Sequence, residues 1–393
     1  MVLNTFEIVL LSVLAFGFIA LLLFYWLFLA KPYYYMQSSA SDKSQKPAAE
    51  PPISVIVVIK NSQCYDVLQF LSTILEQEYP KFEVIVVTDG ITDSDEELLK
   101  QLKKQHANLY STHVPEDTRN ISRKKLALTL GIKAAKYDKL LFTEIDCHIR
   151  TKYWIYSIAR HFSDKKTIVL GFSALENAKK LLHKFIACDY FISNLQMISF
   201  ALFKHPYAGN GRNLAYAKEH YIEQKGFVKY RNLQQGEDDL FINEIAAPEN
   251  TAVELSAQSV ALTEINDFID WRSQKVNRML TQRFYKRGPV AFGRLETSIR
   301  ILFFAACIIC FICGLPYRSL EDFLLPGTAL FCFAVQFFSQ MIVINKTLGR
   351  LQLEKFYLSI LLYDLFQPFI NIYFYAYRVL KEKENYTYLY EKR

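Results

Sequence analysis

The chain has 393 residues, of which 51% are hydrophobic and 15% aromatic, and its formal net charge is +7. That length accommodates one large soluble domain together with membrane segments, or two domains of ordinary size. The modest positive charge suits an anionic membrane surface or a polyphosphate substrate. It does not indicate nucleic acid, because the sequence has neither a zinc-finger pattern nor an arginine-rich run.

The seven cysteines do not form the pattern of a disulfide scaffold. An odd number without compact spacing agrees instead with a reducing compartment. Cys307, Cys310 and Cys313 have a C-x-x-C-x-x-C spacing, but they lie in an apolar run and no fourth ligand follows nearby. They are therefore interpreted as small apolar residues of a membrane helix.

An apolar stretch from about residue 6 to residue 30 is long enough to cross a bilayer as a helix. It lacks a basic leading region and a cleavage site of small residues, so residues 1–31 are predicted to be a signal anchor. Lysines follow it at positions 31, 43 and 46, and the positive-inside rule then places the next domain in the cytosol. Residues 32–52 are predicted to be a linker.

Residues 53–280 have the pattern of a soluble α/β domain. Helical periodicity over residues 65–78 and 122–135 separates three short apolar runs. These runs are typical of strands buried on both faces: Ile53–Ile59, Glu83–Thr88 and Lys139–Thr143. The alternation predicts a parallel sheet. Ligands of such sheets bind beyond the carboxyl ends of the strands, so the polar residues that follow each strand are the candidates for chemistry.

The chain becomes strongly apolar again after residue 298. We interpret residues 281–298 as a basic interfacial segment and residues 299–345 as two transmembrane helices. Residues 346–393 are predicted to form a third C-terminal helix and a tail. That helix carries Asp364 and Pro368, so both a spanning and an interfacial position are open. Flanking basic residues again favour a cytosolic catalytic domain in a multi-pass protein of the inner (cell) membrane.

Two acidic clusters follow predicted strands. Asp89 and Gly90 directly follow the second strand, where an Asp can accept hydrogen bonds from a nucleoside, although an ordinary turn looks the same. Glu144 and Asp146 follow the third. At positions i and i+2 their carboxylates point to the same side and can hold a hard divalent cation, although a solvated acidic pair is the alternative.

A run of three acids, Glu237-Asp238-Asp239, offers a general base. A neighbouring acid would raise the pKa of that base toward a useful value. The other interpretation is a helix N-terminus, where acids are favoured, and both can hold. A basic cluster, Arg123-Lys124-Lys125, could reach a diphosphate, but a lysine-rich helix face is more often simply solvated.

Taken in order, these clusters resemble the motifs of the inverting family 2 glycosyltransferases, in the branch that includes cellulose and hyaluronan synthases. ISVIVVIKN is similar to the opening strand of that family, and EVIVVTDGITD is similar to EVIVVDDGSTD. The stretch SRKKLALTLGIKAAKYDKLLFTEIDC resembles the segment from the family lysine to its metal motif. PYAGNGRNLAY and GEDDLF resemble the acceptor-side and base-bearing motifs. The resemblance covers about residues 53–280.

The resemblance implies a GT-A fold with a Rossmann-like, mostly parallel sheet, a nucleoside-diphosphate sugar donor (commonly a UDP-sugar), and Mg²⁺ or Mn²⁺. Asp146 would ligate the metal, with Glu144 as its partner. Asp238 would deprotonate the acceptor hydroxyl, with Asp239 as the fallback and Glu237 beside them. The residues that it places on the donor side are Lys60, Asp89, Lys124 and Glu144. Those that it places on the acceptor side are Gly209, Gly211, Arg212, Asn213, Gln274 and Arg278.

Three departures from the family pattern affect the expected function. Lys60-Asn61 replaces the usual Arg-Asn-Glu, and Glu144 replaces the first Asp of the metal motif. The Q-x-x-R-W motif of processive synthases is altered, because Arg278 is the fourth residue after Gln274 and no Trp follows it. We therefore expect sugar transfer to a lipid-linked or surface-glycan acceptor at the membrane. A processive polysaccharide synthase and a catalytically inactive membrane scaffold are the alternatives.

Overall fold

The computed structural model describes residues 4–41, 50–60, 64–115, 122–176, 180–265, 267–314 and 323–381. Parts of the sequence predictions lie outside these residues, among them residues 1–3 of the anchor, linker residues 42–49, Asn61 and the tail after residue 381.

Two sheets form the centre of the α/β domain. The strands are β1 (Ile53–Lys60), β2 (Phe82–Asp89), β3 (Leu109–His113), β4 (Lys139–Glu144), β5 (Cys147–Ile149), β6 (Ile168–Leu170), β7 (Ser173–Leu175), β8 (Leu214–Ala217), β9 (Thr251–Val253) and β10 (Ala261–Thr263). A seven-stranded sheet has the order β3-β2-β1-β4-β8-β6-β9, and a three-stranded sheet has the order β5-β10-β7. Strands β3, β2, β1 and β4 are parallel, whereas β8 is antiparallel to both neighbours. The three strands predicted from the sequence are β1, β2 and β4.

The register brings the polar strand ends to one edge of the large sheet. Lys60 at the end of β1 lies opposite Asp89 at the end of β2. Val58 of β1 lies opposite Glu144, the last residue of β4. Because parallel strands end at the same edge, the residues that follow them surround one place beyond the sheet.

Helices cover both faces of the sheet and continue into apolar segments. The α-helices are α1 (Thr5–Leu23), α2 (Lys31–Ser41), α3 (Cys64–Leu75), α4 (Asp93–Gln105), α5 (Arg123–Ala134), α6 (Trp154–Ala159), α7 (Leu181–Leu202), α8 (Lys218–Glu223), α9 (Asp239–Ile245), α10 (Phe268–Thr281), α11 (Arg287–Cys313), α12 (Leu324–Arg350) and α13 (Leu358–Lys381). A π-helical segment (Phe24–Leu29) joins α1 to α2, and short 3-10 turns lie at Val228–Tyr230 and Gln282–Phe284. The core between the large sheet, α5 and α7 is continuous with the side chains that α1, α11 and α12 bury.

Among the described residues, four helices are long and apolar enough to cross a membrane: Thr5–Ser39, Leu181–Leu202, Arg287–Cys313 and Leu324–Arg350. Helix α7, the second of these, is largely buried in the α/β domain. Two segment predictions differ from the structure. Residues 32–41 of the expected linker are helical, because α2 continues the N-terminal helix. Residues 287–298 of the expected interfacial segment belong to the long helix α11.

A buried polar network joins α11, α12 and α13. The guanidinium of Arg300 forms ion pairs with Glu296 on its own helix and with Asp364 on α13. Gln340 of α12 donates to the Asp364 carboxylate at 3.0 Å, and Gln336 donates to the Tyr25 hydroxyl at 2.8 Å. Charges in an apolar helix bundle are stable only when paired, so this network fixes α13 against the other helices.

Candidate active site

The predicted metal ligands Glu144 and Asp146 both contact the guanidinium of Arg212. The guanidinium of Arg212 lies 2.7 Å from Asp146 Oδ2 and 3.3 Å from Glu144 Oε2. Thr263 also donates to Asp146 Oδ2 at 2.9 Å. The two carboxylates thus converge on one positive group, and carboxylate oxygens are the ligands that Mg²⁺ and Mn²⁺ prefer. These carboxylate oxygens therefore fit a divalent cation, and in this structure the positive group that they bind is the Arg212 guanidinium.

Lys124 forms ion pairs both with Glu144 and with Glu237 of the acidic run. Its ammonium lies 2.6 Å from Glu144 Oε1 and 2.8 Å from Glu237 Oε1. Burial opposes the charged ammonium, but Glu144 and Glu237 outweigh that cost and raise the pKa of Lys124 well above its usual range. Burial likewise opposes the Glu144 carboxylate, yet Lys124 and Arg212 lower its pKa to about 2. Both groups therefore stay charged at neutral pH.

The other two residues of the basic cluster point elsewhere, and of the three only Lys124, the one assigned to the donor side, lines the cavity described below. The Arg123 guanidinium pairs with the buried Asp89, with Nε 2.6 Å from Oδ1. The Lys125 ammonium is buried and donates to backbone carbonyls of the segment that precedes the acidic run. Consecutive residues on a helix project about 100° apart, so three adjacent cations cannot face one ligand.

The predicted base, Asp238, is held by backbone amides. Its Oδ2 accepts a hydrogen bond from Gly211 N at 2.9 Å, and its Oδ1 accepts one from Asp239 N at 2.7 Å. A Cβ on Gly211 would lie 3.3 Å from the carboxylate, so the small residue permits this close approach. Gly236 has a φ of +107°, which favours glycine, and turns the chain into the acidic run. Asp238 thus reaches the cavity in a fixed orientation.

Its two acidic neighbours are more deeply buried. The Glu237 carboxylate is in an ion pair with Lys124 without an aligned hydrogen bond. Asp239 accepts hydrogen bonds from the hydroxyls of Thr281 and Tyr285. Burial and the adjacent charge of Asp238 raise the pKa of Asp239 to about 6. The Asp239 carboxylate therefore ties the acidic run to α10 and the turn after it.

Most of these groups line one cavity of about 270 Å³, whereas Asp146 and Glu237 are not among its lining residues. Of the predicted residues, Glu144, Arg212, Asp238, Asp239, Gln274 and Arg278 line it together with Lys124. The lining residues that the sequence interpretation did not single out include Asp189, Tyr190, Ser193 and Asn210. Three of them lie on α7, whose polar positions are scattered through an apolar sequence and give no local signal. Asp189 there accepts from Trp271 Nε1 at 2.9 Å and pairs with Lys275 at 2.7 Å.

Several predicted site residues do not line this cavity. Asp89 and Lys60 lie at the edge of the parallel strands but are not among its lining residues. Asn213 is completely buried, accepts from Trp154 Nε1 and donates to the carbonyls of Phe172 and Ser259. A Cβ on Gly209 would meet Ile242 and Leu214. The last two residues therefore support the wall of the site from behind.

Residues 54–185 match the family model described as Glycosyl transferase family 2. The chain therefore contains a family 2 glycosyl transferase domain, and its α/β class with a largely parallel sheet is confirmed.

Two curated relatives match stretches of similar length. A poly-beta-1,6-N-acetyl-D-glucosamine synthase from Staphylococcus epidermidis is 29% identical over 132 residues, which cover 32% of this chain and 31% of the relative. The synthase of the same name from Staphylococcus aureus (strain COL) is 28% identical over 121 residues, which cover 30% and 28%. The chain thus matches less than a third of the length of these relatives.

Two solved structures show only distant similarity to this chain. A mannosyltransferase from Pyrobaculum calidifontis in complex with GDP-Man and Mn²⁺ has a TM-score of 0.49 at 17% identity, covering 97% of this chain and 100% of that one. TarS 1-349 from S. aureus in complex with UDP-GlcNAc has a TM-score of 0.39 at 17% identity, covering 76% and 73%.

Proposed function

We propose that the chain is an inverting glycosyltransferase that moves a sugar from a nucleoside-diphosphate sugar to a hydroxyl of a membrane-associated acceptor. The observation that carries the proposal is the cavity itself. It is lined by Arg212, Lys124, Glu144 and the amide-held Asp238, and the Arg212 guanidinium also pairs with Asp146. The family 2 domain over residues 54–185 supports the same class of reaction.

In the proposed reaction, Asp238 accepts the proton of the acceptor hydroxyl as that oxygen bonds to the anomeric carbon. The bond from the anomeric carbon to the diphosphate oxygen breaks on the opposite face, so the configuration inverts. Lys124 and Arg212 stabilise the negative charge that develops on the departing diphosphate. A divalent cation held by Asp146 and Glu144 would, when bound, supply Lewis-acid stabilisation of the same group.

The membrane helices support an acceptor that is lipid-linked or bound at the membrane surface. Helix α13 packs against α7 and α10, and these two helices line the cavity. The layer of α7 and α10, and then α13 itself, therefore separate the cavity from the exposed apolar surface of α13. That surface includes Phe366, Phe369 and Ile372. Such a surface suits lipid.

A donor screen tests this proposal. The Tm of the purified protein with Mn²⁺ is measured in the presence of UDP-N-acetylglucosamine, UDP-glucose and GDP-mannose in turn. Release of the nucleoside diphosphate from each donor is measured as well. We expect one donor to raise the Tm by a few degrees, because a ligand at about 100 times its Kd contributes about 2.7 kcal/mol. Asp146→Asn should weaken that shift. The absence of any donor shift together with background release would contradict the proposal and favour the inactive scaffold.

A processive synthase is the second candidate, because both curated relatives are named as polymer synthases. Gln274 and Arg278 line the cavity together with Trp271, which precedes them and donates a hydrogen bond to Asp189. Product length on a defined primer separates the two functions. We expect addition of one or a few sugars, and long products from a limiting amount of enzyme would establish the synthase instead.

A further inference from the structure

Lys125 is a buried cation with backbone carbonyls as partners. Its side chain lies on α5 and the residue is only 2% exposed. The ammonium donates to the carbonyl oxygens of Tyr230 and Leu233 at 2.6 Å and of Gln235 at 2.8 Å. No carboxylate in the described part of the chain lies within ion-pair distance of it. All three of its N–H groups are thus used by one short segment of backbone.

That segment, residues 230–236, leads directly into the acidic run. Ser122, the residue before α5, donates to the carbonyl of Gln234 at 2.9 Å. The start of α5 therefore holds four carbonyls within six residues. Within the segment Leu233 N donates to Tyr230 O, and the Tyr230 hydroxyl donates to Glu244 on α9. The four carbonyl contacts from the start of α5 add to these bonds and restrict the conformation of the segment.

We propose that Lys125 is a positioning residue that holds segment 230–236 and thereby sets the orientation of Asp238 for proton transfer. The inference rests on the proposed transferase function. Asp238 receives its own hydrogen bonds from Gly211 and Asp239, but the direction from which the chain enters the run is set two residues earlier, at Gly236. Small displacements of a catalytic group reduce turnover strongly, so the loss of this anchor should lower kcat more than donor affinity.

The geometry also predicts how the anchor responds to pH. A neutral amine has two N–H donors and one lone pair, so it cannot serve three carbonyls. The charged groups that face Lys125 are Glu237, Asp238 and Asp239, which favour the ammonium, and Lys124, which opposes it. Burial outweighs the acids and lowers the pKa of Lys125 to about 8. The anchor should therefore weaken as the pH rises through 8.

The test compares Lys125→Met and Lys125→Arg with Lys133→Met, an exposed lysine on the same helix. For Lys125→Met we expect kcat to fall roughly 10- to 100-fold with donor KM within about threefold. Wild type should lose turnover above about pH 8. Lys125→Arg, which keeps its charge, should lack that alkaline loss even if its activity is reduced. Lys133→Met should behave as wild type. A folded Lys125→Met with wild-type kcat, or an alkaline loss that persists in Lys125→Arg, would overturn the inference.

Trypsin cleavage after the exposed Arg231 gives a readout that does not depend on activity. Lys125→Met should be cut there faster than wild type, and equal cleavage rates would contradict the anchoring role. If wild type releases no nucleotide from any donor, the proposed function fails, and the cleavage rates still decide whether Lys125 holds the segment. If Lys125→Met does not fold, Ser122→Ala, which removes one of the four contacts, takes its place in both measurements.

Discussion

Arg212 occupies the place between Glu144 and Asp146 that a divalent cation would take. Two positive groups cannot share that position without repulsion. We therefore predict that Arg212→Gln binds Mn²⁺ more tightly than wild type in the absence of nucleotide, by about tenfold. The same variant should transfer sugar more slowly, because it lacks a cation beside the diphosphate. Titration calorimetry measures the binding, with the exposed Arg231→Gln as the control. Unchanged or weaker Mn²⁺ binding would show that the guanidinium does not compete with metal.

Asp239 gives a prediction about pH and stability. Its pKa of about 6 lies above the unfolded value of about 3.9. Between pH 4 and pH 6 the folded chain therefore holds a proton that the unfolded chain has lost, so this carboxyl lowers the free energy of unfolding as the pH rises. Above pH 6 the full penalty, about 3 kcal/mol, is present. The difference in Tm, wild type minus Asp239→Asn, should be more positive at pH 4.5 than at pH 7. A difference in Tm that does not change with pH would contradict this.

Residue identity alone predicted some of these positions better than others. The patterns around Asp146 and Asp238 each had an alternative interpretation, and the order of the motifs along the chain singled these residues out. In the structure Asp238 and Glu144, the predicted partner of Asp146, line one cavity. Lys124 and Lys125 are adjacent and chemically identical, yet one faces the site and the other faces segment 230–236. The direction of a side chain depends on how its helix is rotated against the sheet, and a single sequence pattern does not contain that rotation.

At the scale of elements, strands β1, β2 and β4 were predictable because β-branched runs buried on both faces have few alternatives. Helix α7 was not predicted as a wall of the site. Its sequence is apolar enough for a membrane span, but it is buried in the α/β domain. Hydropathy reflects the free energy of transfer out of water, which is favourable for an apolar helix both in a protein interior and in a bilayer. Hydropathy alone therefore does not distinguish these two locations for α7. The helical state of residues 32–41 follows from continuity with α1, which local composition does not show.

Helix α13 depends on Asp364 for its place in the bundle. Asp364→Leu would leave Arg300 with one acidic partner and would remove the acceptor of Gln340. Breaking a buried pair in this way costs about 3 kcal/mol. We expect a clear decrease in the Tm measured in detergent, whereas Leu365→Ala on the exposed side of the same helix should change it little. Equal melting temperatures for Asp364→Leu and wild type would mean that α13 is not held by this network.

At the scale of the whole molecule, the basic residues that flank the apolar helices predict a cytosolic α/β domain and an N-terminus on the other side of the membrane. Cysteines introduced at two exposed positions, Gln101→Cys on α4 and Thr5→Cys at the start of α1, test this arrangement. An impermeant maleimide should label Gln101→Cys in inverted vesicles and Thr5→Cys in intact cells, after subtraction of the parent signal. Labelling of both from the same side would reject the predicted topology.

The central claim is that Asp238 deprotonates an acceptor hydroxyl in a cavity that binds a nucleotide sugar. Its most direct test is the rate of nucleoside diphosphate release with donor and acceptor present, measured for wild type, Asp238→Asn and the exposed Asp164→Asn. We predict that Asp238→Asn loses activity by about 10²- to 10⁴-fold while its donor-induced Tm shift remains, and that Asp164→Asn matches wild type. Release by Asp238→Asn at the wild-type rate would contradict the account.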